Sequence, residues 1–554
     1  MKRIISLIMA MILLLSLTGC RQEKSAPINK ENSPVKYENT GLAVRPDSSE
    51  IPFEYTLTDA QVEEFYKLLE ESEKLSMESS DWEQVDQITT ELSDSLDYLE
   101  DQATMAQIIY YCDQSDEVAS ERFLACNDIL TDANRAYNES TRRIYLSDAP
   151  CKDQLFEDWT QAELDMLLAY SPEIAELEKR NAAILVEYQA LEDMASDEMI
   201  PLYLEQVKNN NQIAKIYGYD NYYEFAFRMV YDRDYEPEQL GQMRQYVQEY
   251  LVPAIDQAYM DFLDSTMELG MADGILFSAF LLNDYDNVQE DYVGRYLQSL
   301  PRQMGEGMSD AFTPGNSYFT DSEDAHEGAF TATVTDQSFC YFGPGYASAM
   351  TIVHELGHYY ASQHADMNEI SYDLAEVQSQ GNEWLFLGNL STMMDETLYQ
   401  SVLDYKMFND LCMILVCMMV DAFEREIYAL EDPTSLTPEE CNAIMEQVCE
   451  AYGGVDMIGE YALDIQEYWR MVVVENPVYY ISYAVSSISA MNLYTLYQQD
   501  PEAAVAAYQV LTEQDWVEEG FLAALEAANL PGAFDESVYQ HLTSRYDLFS
   551  LKDV

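Results

Sequence analysis

Positive charge is what this sequence lacks. Only 28 of its 554 residues are lysine or arginine, against 101 aspartates and glutamates, a formal net charge of −73. Phosphate binding needs clustered cations, so this balance excludes nucleic acid as a partner. It predicts a soluble, self-repelling surface. The acids are scattered along the chain, so a generally acidic exported surface explains them more simply than a dedicated site for basic substrates. Histidine is scarcer still, with five residues: His326, His354, His358, His364 and His541. Beyond Cys20 there are eight cysteines, with no C-x-x-C pair and no dense framework. Most lie in helix-like apolar runs such as LCMILVCMMV and read as buried thiols, although an exported chain has the chance to oxidise them. Residues 56–554 show no repeat period and no Gly/Ser-rich linker. What is abundant is apolar surface, 48% of the residues, and tyrosine, with 43, enough for a large core.

The N-terminus reads as a leader, not as part of the fold. Lys2 and Arg3 precede an apolar run from Ile4 to Leu17, broken only by Ser6 and Ser16, and then Thr18, Gly19 and Cys20. A cationic start, a short apolar run and small residues before a cut mark an export signal. The run is too short for a membrane span. The Leu-Thr-Gly-Cys ending resembles a bacterial lipoprotein signal. That resemblance implies cleavage of residues 1–19, lipid on Cys20, and an extracytoplasmic protein anchored to the bacterial cell membrane, where two or more acyl chains give stable attachment. Residues 20–50, after the cut, are rich in Lys, Glu, Asn, Pro and Ser and read as a flexible tether.

From about residue 56 the apolar residues recur at steps of three and four almost throughout. YTLTDAQVEEFYKLLEESEKL carries a Thr/Asp start signal, and Pro172 breaks a second long helical pattern. Residues 240–270 and 395–430 behave alike. One region differs: between residues 316 and 350, GAFTATV and SFCYF are short β-branched and aromatic runs separated by turn residues, which predicts a small hairpin or sheet. Gly343, Pro344 and Gly345 then lead into TIVHELGHYYASQH, residues 351–364.

That stretch holds His354, Glu355 and His358 in the H-E-x-x-H arrangement. Positions one helical turn apart share a face, so both histidines can reach one zinc, with Glu355 beside it to take a proton from a bound water. A catalytic zinc needs a third protein ligand and an open position. Two candidates exist. His364 matches the spacing of H-E-x-x-H-x-x-G-x-x-H enzymes, but those turn the chain sharply at a glycine, and here the position is Ala361. The helix is expected to run on, placing His364 about 240° around the axis from His358. The other candidate is Glu376, in SYDLAEVQSQGNEWLFLGNLS, residues 371–391, which reads as a following helix with Leu374, Ala375 and Val377 flanking the acid. Glu383, seven residues later, lies near the same face, placed to orient a ligand.

HELGHYYAS followed by LAEVQSQGNEW resembles the oligoendopeptidase F and thimet-type oligopeptidases, the M3 group of zinc peptidases. HEGAFTATV, SFCYF with GYASAMTIVHELGH, and VVVENPVYYISYAVSSISAMNLY extend the likeness over roughly residues 200–500. Residues 51–200 share only their helical character, so the chain divides into an N-terminal helical region, 51–200, and a catalytic region, 201–554. The resemblance implies a mainly α, two-lobed zincin-type metallopeptidase enclosing a deep channel, with a small β element next to the zinc helix. It implies one Zn²⁺ per chain on His354, His358 and Glu376. Glu355 would activate a zinc-bound water, Tyr480 and Tyr483 would stabilise the oxyanion, and short oligopeptides would be the substrates. One departure stands out: Val472 occupies the place of a histidine that the group usually has ahead of its tyrosines. Its loss leaves the metal ligands intact but weakens substrate positioning by about one to two orders of magnitude. It motivates the alternative of a lipoprotein that captures peptides or a partner without cutting them.

Overall fold

The structure is a computed structural model. It describes residues 42, 51, 53–157, 159–189, 191, 196–281, 287–335, 337–365, 370–453 and 465–545. The leader, Cys20 and all of the tether except Leu42 lie outside the described residues.

The fold is mainly helical and falls into two lobes with separate cores. In the first, α1 (Asp59–Glu78), α2 (Trp82–Cys112) and α3 (Glu117–Leu146) pack around Phe65, Leu69, Leu92, Leu99 and Ala133. Local chemistry starts these helices. The Gln61 side chain accepts from the Thr58 N–H at 2.9 Å, and Asp116 Oδ1 accepts from the Val118 and Ala119 N–H groups, which satisfies amides that have no partner inside the helix.

The second lobe begins with α4 (Pro172–Gln189) and α5 (Ile200–Ile216), followed by shorter helical segments up to Asp310. A three-stranded sheet comes next, β1 (Ser317–Phe319), β2 (Ala329–Val334) and β3 (Gln337–Phe342), in the order β1-β3-β2. β2 pairs antiparallel with β3, Thr331 opposite Cys340, while β1 runs parallel to β3. The expected small sheet is therefore present, extended by a parallel strand. After it come α6 (Ala349–Ala361), α7 (Tyr372–Leu390), α8 (Glu396–Tyr428), α9 (Ile465–Val472), α10 (Ile481–Gln499) and α11 (Pro501–Glu513).

α7 is the centre of this lobe. It packs against α6, α10 and α11, and nearly all of its residues are buried. A helix covered on all sides has no polar face, which matches the run WLFLGNL. The α6–α7 approach is close enough to require glycine: a Cβ on Gly357 would lie 2.6 Å from the Gln378 carbonyl oxygen and 2.7 Å from the Ser379 Cα.

One local expectation is corrected. α6 does not run on to His364; it stops at Ala361. Side chains satisfy its last carbonyls: Ser362 Oγ donates to Tyr359 O at 2.9 Å and His364 Nδ1 to Tyr360 O at 2.9 Å. The eight cysteines after Cys20 are buried thiols without disulfides. Among the described residues, no helix is long and apolar enough to cross a membrane.

Candidate metal centre

α6 and α7 bring His354, His358 and Glu376 together. One ligand atom from each lies within 4.8 Å of the others, the only such group of three among the described residues. Glu376 Oε2 is 3.7 Å from His354 Nε2 and 3.9 Å from His358 Nε2. Two ligands about 2.05 Å from a tetrahedral zinc sit about 3.4 Å apart. The two carboxylate–imidazole distances are a few tenths of an ångström wider, and a set of two imidazoles and one carboxylate suits zinc with its fourth position left open. His364 is outside this group, its Nδ1 engaged with its own helix end.

Behind His354 runs a buried chain of charges. His354 Nδ1 bonds to Glu383 Oε1 at 2.7 Å, Glu383 Oε2 meets Lys406 Nζ at 3.0 Å, and Lys406 Nζ meets both oxygens of Asp410, at 2.7 and 2.8 Å. The Nδ1 contact leaves Nε2 for the metal, the usual tautomer arrangement for a ligating histidine. Burial alone would lower the His354 pKa. The bond to Glu383 and its charge, then Glu355 and Glu376, outweigh this and raise it to about 9. Burial pushes Glu383 up, but Lys406 and His354 more than reverse that and bring it down to about 2. Burial and then the neighbouring His354 lower His358 to about 3. The two histidines thus differ: in the metal-free protein His358 is neutral and ready, while His354 carries a proton that a metal must displace.

Glu355 is buried beside the pair, between α6 and the edge strand β2. The Thr331 hydroxyl donates to its Oε2 at 2.8 Å. Burial raises its pKa to about 7, against the lowering influence of His354 and the Thr331 bond. A carboxylate poised there suits a general base at neutral pH.

Tyr479, Tyr480 and Tyr483 form a ring cluster at the start of α10, with centroid separations of 6.0, 5.2 and 5.6 Å. Tyr479 donates its hydroxyl to Glu376 Oε1 at 2.8 Å, leaving Oε2 toward the histidines. Burial, then the Glu376 charge, pushes Tyr479 and Tyr483 well above the usual phenol range, and burial does so for Tyr480. All three remain donors. Val478, just ahead of them, sits at φ +66, a left-handed conformation that costs a β-branched residue about 1–3 kcal/mol.

The sequence-derived residues His354, Glu355, His358, Glu376 and Glu383 therefore converge at one place, with Tyr480 and Tyr483 in the cluster that adjoins Glu376. Val472 is 4% exposed, within the core. Sequence reasoning missed Thr331, Lys406, Asp410 and the Tyr479–Glu376 contact. For Tyr479 a signal existed, its place in the same tyrosine run. For the others nothing in the local pattern pointed to the site.

No family model matches this sequence, and no curated protein matches it. Solved structures do. PZ peptidase A, in a structure with an inhibitor, superposes with a TM-score of 0.71 over 90% of this chain and 98% of its own, at 17% identity. A protein described as an oligoendopeptidase F from Bacillus anthracis gives 0.67 over 90% and 98%, at 15% identity. The oligoendopeptidase-F from Enterococcus faecium gives 0.56 over 89% and 98%, at 15% identity. The chain has the oligoendopeptidase F fold. At these identities it is the fold that is shared, and the chemistry rests on the residues above.

Proposed function

We propose that this protein is a zinc-dependent endopeptidase that hydrolyses short unstructured oligopeptides outside the cytoplasm, anchored to the membrane by lipid on Cys20. The observation that carries the reading is the convergence of His354, His358 and Glu376 with a buried Glu355 on the oligoendopeptidase F fold. His354, His358 and Glu376 would hold the metal. When bound, zinc supplies Lewis-acid polarisation of the scissile carbonyl and lowers the pKa of water. Glu355, fixed by Thr331, takes the proton of the attacking water and hands it to the leaving amine. Tyr480 and Tyr483, held protonated by burial, donate to the oxyanion, where a preorganised donor counts most. Glu383, buried against Lys406, keeps His354 turned with Nε2 toward the metal.

A second reading, a peptide-capturing lipoprotein, is motivated by Val472, but a scaffold that only binds has no use for a base tuned toward neutral pH. The test is native mass spectrometry with hydrolysis of unstructured peptides and of folded proteins. The expected result is one zinc per chain, lost in His354→Ala, with cleavage of peptides and not of folded substrates. Zinc held without any cleavage would favour the binding reading.

A further inference from the structure

We infer that Arg233 is a positioning residue: it staples the strained Val478 turn to the first turn of α7 and so holds Tyr479 against the metal-facing carboxylate of Glu376. This rests on the metal-site reading above. Arg233 lies 245 positions from Val478 in sequence, yet its side chain is wholly buried against that turn. Its Nη2 donates to Val478 O at 2.8 Å and to Ser482 Oγ at 3.0 Å, in the first turn of α10. Its Nε is 3.9 Å from the carboxylate of Asp373, three residues before Glu376 on α7, also wholly buried. One guanidinium therefore hydrogen-bonds the turn and lies at ion-pair distance from α7, the two segments whose meeting produces the Tyr479–Glu376 bond.

The turn is held from its other sides as well. Val478 N–H donates to the buried Glu424 on α8 at 2.8 Å, and Tyr231 donates its hydroxyl to Pro477 O at 2.7 Å. The Arg233 guanidinium lies 4.6 Å from the Tyr231 ring centroid. A β-branched residue persists at positive φ only where its surroundings over-determine it. Val478 is such a residue, and its amide is bonded to the buried Glu424 carboxyl and its carbonyl to the buried Arg233 guanidinium. These contacts do more than stabilise a loop, because the next residue is Tyr479. If the turn relaxes, the tyrosine hydroxyl leaves Glu376 Oε1, and of the two hydroxyls that orient the carboxylate toward the histidines only that of Ser379, 3.1 Å from Oε2, remains. Partners that orient a metal ligand are worth about tenfold to hundredfold in affinity.

The test is zinc affinity, by competition with a chromophoric chelator, alongside thermal melting of the metal-free protein. The variants are Arg233→Gln/Asp373→Asn, which avoids leaving one buried charge alone, Tyr479→Phe, and the two combined. The expected result is an affinity loss of about tenfold for each, and a combination no worse than the larger single loss, because both act through one hydrogen bond. Adding Val478→Gly to Arg233→Gln/Asp373→Asn should recover most of the loss, since glycine holds positive φ without help. A folded Arg233→Gln/Asp373→Asn protein with wild-type affinity would overturn the inference, as would losses that multiply. If that variant does not fold, Tyr231→Phe, which removes one hydroxyl from the same turn, takes its place with the same two criteria. Wild-type protein that holds no zinc would instead overturn the metal-site reading itself.

Discussion

Replacing Glu383 by glutamine changes one charge behind the metal site and leaves the shape. The glutamine oxygen still accepts from His354 Nδ1, but the anion that holds the His354 proton is gone. In the metal-free wild type that proton leaves with a pKa of about 9. At pH 7 a metal must displace it across about two pH units, at about 1.4 kcal/mol per unit, so about 2.7 kcal/mol or a hundredfold of apparent affinity is spent on the proton. Glu383→Gln removes much of that competition while costing about tenfold to hundredfold in intrinsic affinity. The two effects oppose each other at pH 7 and separate toward pH 9, where only about half of the His354 side chains still carry the proton. Zinc titrations at pH 7, 8 and 9, in buffers of different ionisation heat, read both affinity and proton release. Wild-type affinity should rise about tenfold from pH 7 to 8 and about fivefold from pH 8 to 9, with about one proton released at pH 7 and about half of one at pH 9. The variant should show a flatter slope and its full deficit only at pH 9. A wild-type affinity that is flat from pH 7 to 9, with no proton released, would refute the reasoning.

Other outcomes follow from neighbouring contacts. Thr331→Val keeps the volume near Glu355 but removes the 2.8 Å donor to its carboxylate; the acid limb of the kcat/KM–pH profile should move up by about one unit, and an unmoved limb would count against Thr331 as a tuner of the base. Gly357→Ala forces a methyl into the Gln378–Ser379 backbone; melting should show a loss of about 1–3 kcal/mol, and an unchanged Tm would mean that α6 and α7 separate cheaply. The metal-free protein should lose stability as pH rises from 6.5 to 9, above the range in which the lowered pKa values of His358 and Glu383 act in the opposite sense. Glu355 and His354 both have folded pKa values above their unfolded ones, about 7 against 4.5 and about 9 against 6.5. The first contribution fades between pH 4.5 and 7 and the second between 6.5 and 9. Stability that instead increases from pH 6.5 to 9 would contradict this charge arrangement.

The site was legible in the sequence where it obeys helix geometry. Two histidines one turn apart, with the acid between them, announce themselves on any helix. Glu376 and Glu383 share a face because seven residues make two turns, and both lie on the turned face of α7. His364 was set aside as a ligand on an expectation the structure overturns: the helix ends at Ala361, where Ser362 and His364 bond its last carbonyls, a choice between side-chain and backbone partners that periodicity cannot decide. The contacts that tune the ligands were not legible. Thr331 reaches Glu355 across 24 residues by strand placement, and Tyr479 reaches Glu376 across 103 by helix packing. Lys406 and Asp410 read as an ordinary helical ion pair until α7 and α8 bring Glu383 to them. Gly357 looks like one letter of a motif, whereas its physical reason is the backbone of the neighbouring helix.

The most direct test of the account is hydrolysis of a mixed-length quenched-fluorescent peptide library by zinc-loaded protein beginning after Cys20, beside Glu355→Gln with the same zinc content. The expected result is cleavage by the wild type and none by its twin, each holding one zinc. Equal cleavage by both would contradict the role given to Glu355, and zinc retention with no cleavage by either would contradict the peptidase itself.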